Sequence, residues 1–144
     1  MRQLEHNSET AAHWSTSQYD ALFSPNVLPR LALVATEESP GAPILGFLIA
    51  RCPANEWEIE NVVVDLGCRK SGLATSLVRE LLAEARTEGV ASIILEVRES
   101  NRPALQLYEK IGFKHEGRRK DYYQSPPEDA ILFRFLLQTC DKIP

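Results

Sequence analysis

The stretch Val62-Val63-Val64-Asp65-Leu66-Gly67-Cys68-Arg69-Lys70-Ser71-Gly72-Leu73-Ala74-Thr75 decides the fold. A β-branched apolar run enters a glycine-containing loop, and the loop leads directly into residues with helical spacing. Upstream, Glu56-Trp57-Glu58-Ile59-Glu60-Asn61 alternates before merging with the valines. That pattern predicts a central strand passing from a half-exposed to a fully buried position. Downstream, Leu73, Ala74, Leu77, Val78, Leu81, Leu82 and Ala85 fall on one helical face, and Gly89 supplies a left-handed stop. Ser92 to Val97 is short, branched and apolar, so residues 57–97 read as a strand–helix–strand crossover with its strands parallel.

Working outward, Arg30 to Thr36 and Ile44 to Ala50 read as an antiparallel hairpin across Ser39-Pro40-Gly41-Ala42-Pro43. Residues 4–23 are weakly helical, with candidate caps at Ser15 and Ser17. Pro103 suits the first turn of a second strong helix, whose inward stripe is Ala104, Leu107, Tyr108 and Ile111 and which Gly112 ends. Phe113 to Gly117 and Ala130 to Leu137 read as closing strands around Ser125-Pro126-Pro127. The expected fold class is α/β (α+β), a mixed sheet with helices, in one domain over residues 1–144.

Composition restricts the function. The 144 residues are 44% hydrophobic and 25% charged, which excludes collagen-like, coiled-coil and wholly disordered classes. No stretch has eighteen apolar residues, and the N-terminus lacks the apolar core of a signal peptide, so a cytoplasmic protein is expected. Cys52, Cys68 and Cys140 are too few and too scattered for a disulfide framework, and with three histidines they give no metal spacing. The net charge of −4 argues against direct nucleic-acid binding. Its distribution is uneven: residues 1–68 hold 3 Lys/Arg against 9 Asp/Glu, and residues 69–144 hold 13 against 11.

The opening stretch also carries chemistry. The first N–H groups of a helix have no internal partner, and the helix dipole adds about half a positive charge there, so a strand–loop–helix turn favours an anion such as pyrophosphate. Arg69 and Lys70 strengthen that field. Gly72 and Ala74 let an anion approach the backbone. The dinucleotide and nucleoside-triphosphate loop spacings are both absent. On the pattern alone, Gly72 serves equally well as a simple turn residue.

Arg69-Lys70-Ser71-Gly72-Leu73-Ala74 resembles the R/Q-x-x-G-x-G/A signature of the GNAT acetyltransferases. Leu95-Glu96-Val97-Arg98, Ser100-Asn101, Ala104, Leu107-Tyr108-Glu109 and Gly112-Phe113 resemble the second half of the RimI-type ribosomal-protein alanine N-acetyltransferases. Arg118-Arg119, Tyr122-Tyr123 and Glu128-Asp129-Ala130-Ile131 continue the likeness, which covers roughly residues 57–137; His13-Trp14-Ser15 extends it more faintly. The resemblance implies a GNAT-like, mostly antiparallel central sheet flanked by helices. Because this chain begins about fifteen residues later than such proteins usually do, it also implies that the first edge strand is missing.

What the resemblance implies for chemistry is direct acetyl transfer from acetyl-CoA, as cosubstrate, to an amine. Glu96 matches the general base. A carboxylate ending a buried strand loses solvation, which should raise its pKa toward working pH; the alternative is an exposed edge-strand Glu. Tyr108 matches the acid that protonates the departing thiolate, an uphill transfer of about 2 kcal/mol for unperturbed groups; the alternative is a core aromatic. Val62, Val63 and Val64 match the strand whose backbone grips the pantetheine arm and polarises the thioester carbonyl, and their side chains serve equally well as plain core. Lys70, Ser71, Gly72, Leu73, Ala74 and Thr75 match the pyrophosphate turn, although Thr75 stands where a basic residue is common. Asn101 matches a further cofactor contact and is equally an obvious helix cap. Cys68 has no histidine near it in sequence and is read as incidental.

The implied acceptor is the N-terminal α-amine of a protein, with a ribosomal protein as partner. Deprotonating a lysine amine at pH 7 costs about 4.6 kcal/mol against about 1 kcal/mol for an α-amine, which suits a single carboxylate base. Glu56, Glu58 and Glu60 are placed to attract a cationic terminus or simply to form a solvated strand face. A small-molecule amine or lysine acceptor, and a non-catalytic CoA-binding protein, are the alternatives.

Overall fold

The computed structural model describes residue 20 and residues 29–137. Six strands form one sheet: β1 (Arg30–Thr36), β2 (Ile44–Arg51), β3 (Glu56–Val64), β4 (Ser92–Arg98), β5 (Lys114–Gln124) and β6 (Pro127–Leu136). Among the described residues two α-helices accompany them along the chain from β1 onward, α1 (Leu73–Thr87) and α2 (Arg102–Ile111). The strand order is β1-β2-β3-β4-β6-β5, and among the described strands only β3 and β4 run parallel. The crossover, the hairpin and the mostly antiparallel sheet read from the sequence are all present. The helix, the caps and the His13-Trp14-Ser15 likeness read before residue 24, the missing first strand, and Cys140 lie outside the described residues.

Sequence periodicity explains the core. Leu77, Val78, Leu81, Leu82 and Ala85 form the buried stripe of α1, and Tyr108 of α2 joins them in one apolar cluster with Ile59, Ile93, Leu95 and Phe133. Phe47, Leu48, Ile49 and Ala50 of β2 are fully buried in succession, as in a strand covered on both faces. Gly89 has φ +71° and follows α1 as the expected left-handed stop.

Two expectations need correction. The closing strands are longer than read: β5 continues seven residues past Gly117, and β6 begins at Pro127, where a strand's first residue tolerates proline. The polar sequence of β5 hides the strand because β5 is an exposed sheet edge. Nor do the three valines form a fully buried run. Val63 is 2% exposed, but Val62 and Val64 are only half-buried. Strand alternation persists to the end of β3.

The divergence of β3 and β4 is the main architectural fact. The β3–β4 ladder runs from Glu56–Ser92 to Ile59–Leu95 and stops. Each strand stays paired on its outer side, β3 through Gly46–Val64, Phe47–Val63 and Leu48–Val62, and β4 through Glu96–Leu132 to Arg98–Ala130. A wedge therefore opens inside the sheet between two supported strands.

Candidate active site

Two adjoining cavities occupy the wedge. The larger, about 620 Å³, is walled by Val62, Val63 and Val64, by Cys68 to Lys70 and Gly72 to Thr75, and by Ser100, Asn101 and the inner side of α2. The smaller, about 110 Å³, lies between Ile59 to Val62 of β3 and Leu95 to Arg98 of β4. Val62, Asn101, Ala104 and Tyr108 line both.

The larger cavity ends at the N-terminus of α1. Asp65 accepts a hydrogen bond from the Gly67 N–H and starts a short 3₁₀ turn, Leu66–Cys68; Lys70 and Gly72 then take left-handed backbone at φ +63° and +82°. Gly72 is the N-cap and offers no side chain, so no side-chain cap satisfies the first-turn donors of α1. Unpartnered donors, the dipole of a fifteen-residue helix and the Arg69 and Lys70 side of the wall suit an anion. A Cβ built on Gly72 meets nothing within 4 Å, so the backbone there is open to a close approach.

A second glycine, which sequence reasoning missed, lets the helix start so near the strand. A Cβ on Gly46 would stand 3.0 Å from the Val63 carbonyl oxygen and 3.2 Å from Leu73 Cδ2. The Ser71 hydroxyl donates to the Cys68 carbonyl, and Ser71 lies in the turn without lining the cavity. Thr75 and Ala74 do line it. Asn101 fulfils its cap reading, its Oδ1 accepting from the Ala104 N–H at 3.3 Å, while also lining both cavities.

Glu96 lines the smaller cavity from β4, an interior strand, which removes the edge-strand alternative. Its partner is a cation that the sequence reading does not anticipate. Its Oε1 forms an ion pair with Arg119 Nε at 2.8 Å, and its side chain is 19% exposed. The Tyr122 phenol also reaches it: burial first, then the charge and hydrogen bond of Glu96, raise that phenol above its ordinary pKa. Arg98 ties the neighbouring wall together. Its guanidinium carbon lies 4.0 Å from the Tyr123 ring centre, and it pairs with Glu128 at 3.3 Å, while Glu128 accepts from the Ser100 N–H at 2.5 Å.

Tyr108 is both a core aromatic and a cavity residue. It packs edge-on against Phe113 at 5.5 Å, is 7% exposed, and burial pushes its phenol far above its ordinary pKa. It therefore stays protonated throughout the working pH range. Glu56, Glu58 and Glu60 form no open cation trap, since Glu56 pairs with Arg134, Glu58 with Arg51, and Glu60 with Arg30 at 2.7 Å. The buried Asn61 lines the smaller cavity and gave no sequence signal beyond its place in the strand. Among the described residues no group of three or more His, Cys, Asp or Glu is arranged to hold a metal ion, and no helix is long and apolar enough to cross a membrane.

A wedge between parallel strands, closed at one end by an uncapped helix start and flanked at the other by a carboxylate and a buried phenol, is an acyltransferase arrangement. Residues 2–113 match the acetyltransferase (GNAT) family, and the chain belongs to that family. Among individual proteins it is similar to the [ribosomal protein bS18]-alanine N-acetyltransferase of Escherichia coli (strain K12), at 38% identity over 88 residues. That match covers 60% of this chain and spans 60% of the length of the relative. The protein of the same name from Haemophilus ducreyi (strain 35000HP / ATCC 700724) is 30% identical over 132 residues, covering 90% of this chain and 89% of the relative. The crystal structure of the ribosomal-protein-S18-alanine N-acetyltransferase from Escherichia coli superposes with a TM-score of 0.83 at 26% identity, covering 99% of this chain and 89% of that one.

Proposed function

We propose that this protein transfers the acetyl group of acetyl-CoA to the N-terminal α-amine of a protein, with the N-terminal alanine of a ribosomal protein of the bS18 type as acceptor. The observation that carries the reading is the junction of the two cavities at Tyr108, because it gives a thioester and an amine one meeting point beside Glu96. The larger cavity suits the cosubstrate: unpartnered N–H groups for its pyrophosphate, and β3 backbone along Val62 to Val64 for its amide-bearing arm. Bound there, acetyl-CoA supplies an activated acyl carbon.

The amine nitrogen attacks that carbon, forming the C–N bond as the C–S bond breaks. Glu96 takes the proton the amine loses, and Tyr108 gives its proton to the departing thiolate and regains one afterwards. Burial raises the Tyr108 pKa and so widens the uphill gap to the thiol, which calls for a proton transfer concerted with C–S cleavage. The likeness to two bS18-alanine N-acetyltransferases supports the acceptor, as does the lower cost of deprotonating an α-amine. A cytoplasmic site of action fits such an acceptor.

The test is mass spectrometry after incubation with acetyl-CoA and either an alanine-starting peptide or its N-blocked, lysine-containing twin. Acetylation of the free α-amine alone is expected; acetylation of only the blocked twin would remove the α-amine assignment. Glu96→Gln should slow turnover by ~10²–10⁴ while acetyl-CoA affinity persists.

A further inference from the structure

Strand β5 carries an irregularity that brings two of its side chains, Arg119 and Tyr122, to Glu96. In a regular strand, residues 119 and 122 point to opposite faces, because side chains alternate. Here the register jumps between Arg119–Ala130 and Tyr123–Glu128, so four steps on β5 oppose two on β6. The bulge holds Asp121 at φ +50°, an unfavourable conformation for a non-glycine residue.

A dedicated brace keeps it there. Asp129 Oδ1 accepts from the Asp121 N–H at 2.9 Å, and Asp129 Oδ2 accepts from Arg118 Nη1 at 2.8 Å. Arg118 in turn bonds Glu99, beside the β4–α2 loop. As a result Arg119 and Tyr122 share a side: the Arg119 guanidinium carbon sits 5.6 Å from the Tyr122 ring centre, and its Nε meets Glu96 at 2.8 Å. The Arg119 side chain is 56% exposed, so it contributes little to the core.

We propose that Arg119, aimed by the braced bulge, is a positioning residue that fixes the Glu96 carboxylate at the cavity junction. The inference rests on Glu96 acting as the base under the proposed function. A carboxylate without a partner has several rotamers open to it; the ion pair to Arg119 Nε holds Glu96 in one. Loss of alignment at a reacting centre can cost ~10²-fold. Arg119 touches neither substrate nor cosubstrate in this role, and its effect passes wholly through Glu96.

A double-mutant cycle tests this. Arg119→Gln should lower kcat by ~10-fold or more with acetyl-CoA affinity and the urea midpoint unchanged, and Arg119→Lys, which keeps the charge, should recover part of the loss. In a Glu96→Gln background, Arg119→Gln should slow the reaction no further. Losses that multiply in the double variant, or a full rate for Arg119→Gln while Glu96→Gln is slow, would overturn the positioning role and leave the proposed function standing. A full rate for Glu96→Gln alone would instead overturn the base assignment, and this inference with it.

Discussion

Gly72 and Gly89 stand at the two ends of α1 in the same left-handed backbone, φ +82° and +71°, each with open space where a Cβ would project. Only Gly72 borders the larger cavity. Alanine at either position should destabilise the protein by about 1–2 kcal/mol, the conformational cost of an L-residue there, seen as a lower urea midpoint. Acetyl-CoA affinity, followed by titration calorimetry, should fall only for Gly72→Ala. An equal effect of both variants on affinity would dismiss the close-approach role of Gly72.

The Tyr108 phenol is expected to separate chemistry from packing. Tyr108→Phe keeps the ring contacts with Phe113 and Phe133 and should lower turnover by ~10²-fold or more at little cost in stability at pH 7. Its pH behaviour follows from the sign of the shift. Burial raises the folded-state pKa above the unfolded value near ~10, so the folded state keeps a proton that the unfolded state releases. The stability linked to Tyr108 is complete below pH ~10 and declines as pH rises beyond it. Chemical denaturation from pH 8 to 11 should therefore show a steeper fall for the wild type than for Tyr108→Phe; parallel curves would contradict the buried, neutral phenol.

Asn101 combines a cap and a cavity wall, and substitution can separate them. Asn101→Ala removes the hydrogen bond to the Ala104 N–H and should cost about 1 kcal/mol of stability, which Asn101→Ser and Asn101→Asp should restore. Asn101→Asp also places a negative charge beside the proposed phosphate-bearing cosubstrate, so it should bind acetyl-CoA more weakly than the serine variant. Equal binding by the serine and aspartate variants would show that position 101 does not face the cosubstrate's charge.

The elements from β1 to α2 were legible because their signals are local. Leu77, Leu81 and Ala85 repeat at helical spacing, and Gly89 and Gly112 mark stops that a few neighbouring residues reveal. Tyr108 and Glu96 could be picked out by likeness and by flanking apolar residues. The far half of β5 could not, because an edge strand such as Arg118-Arg119-Lys120-Asp121-Tyr122 needs no apolar face.

The partners of Glu96 were hidden for another reason. Residues 119 and 122 meet it only through a two-residue slip in register and a φ of +50° at Asp121, which no periodic pattern encodes. The pairing of Glu58 with Arg51 and Glu60 with Arg30 likewise depends on which strands lie side by side. Gly46 looked like any strand glycine until Val63 and Leu73 were placed against it.

The early end of the β3–β4 ladder leaves two well-held strands that nothing among the described residues joins past Ile59 and Leu95. A molecule that seats its amides along Val62 to Val64 acts as a missing length of strand, and the free energy of that pairing belongs to the fold as well as to binding. If acetyl-CoA is that molecule, as proposed, its binding raises the unfolding free energy of this chain with the logarithm of its free concentration.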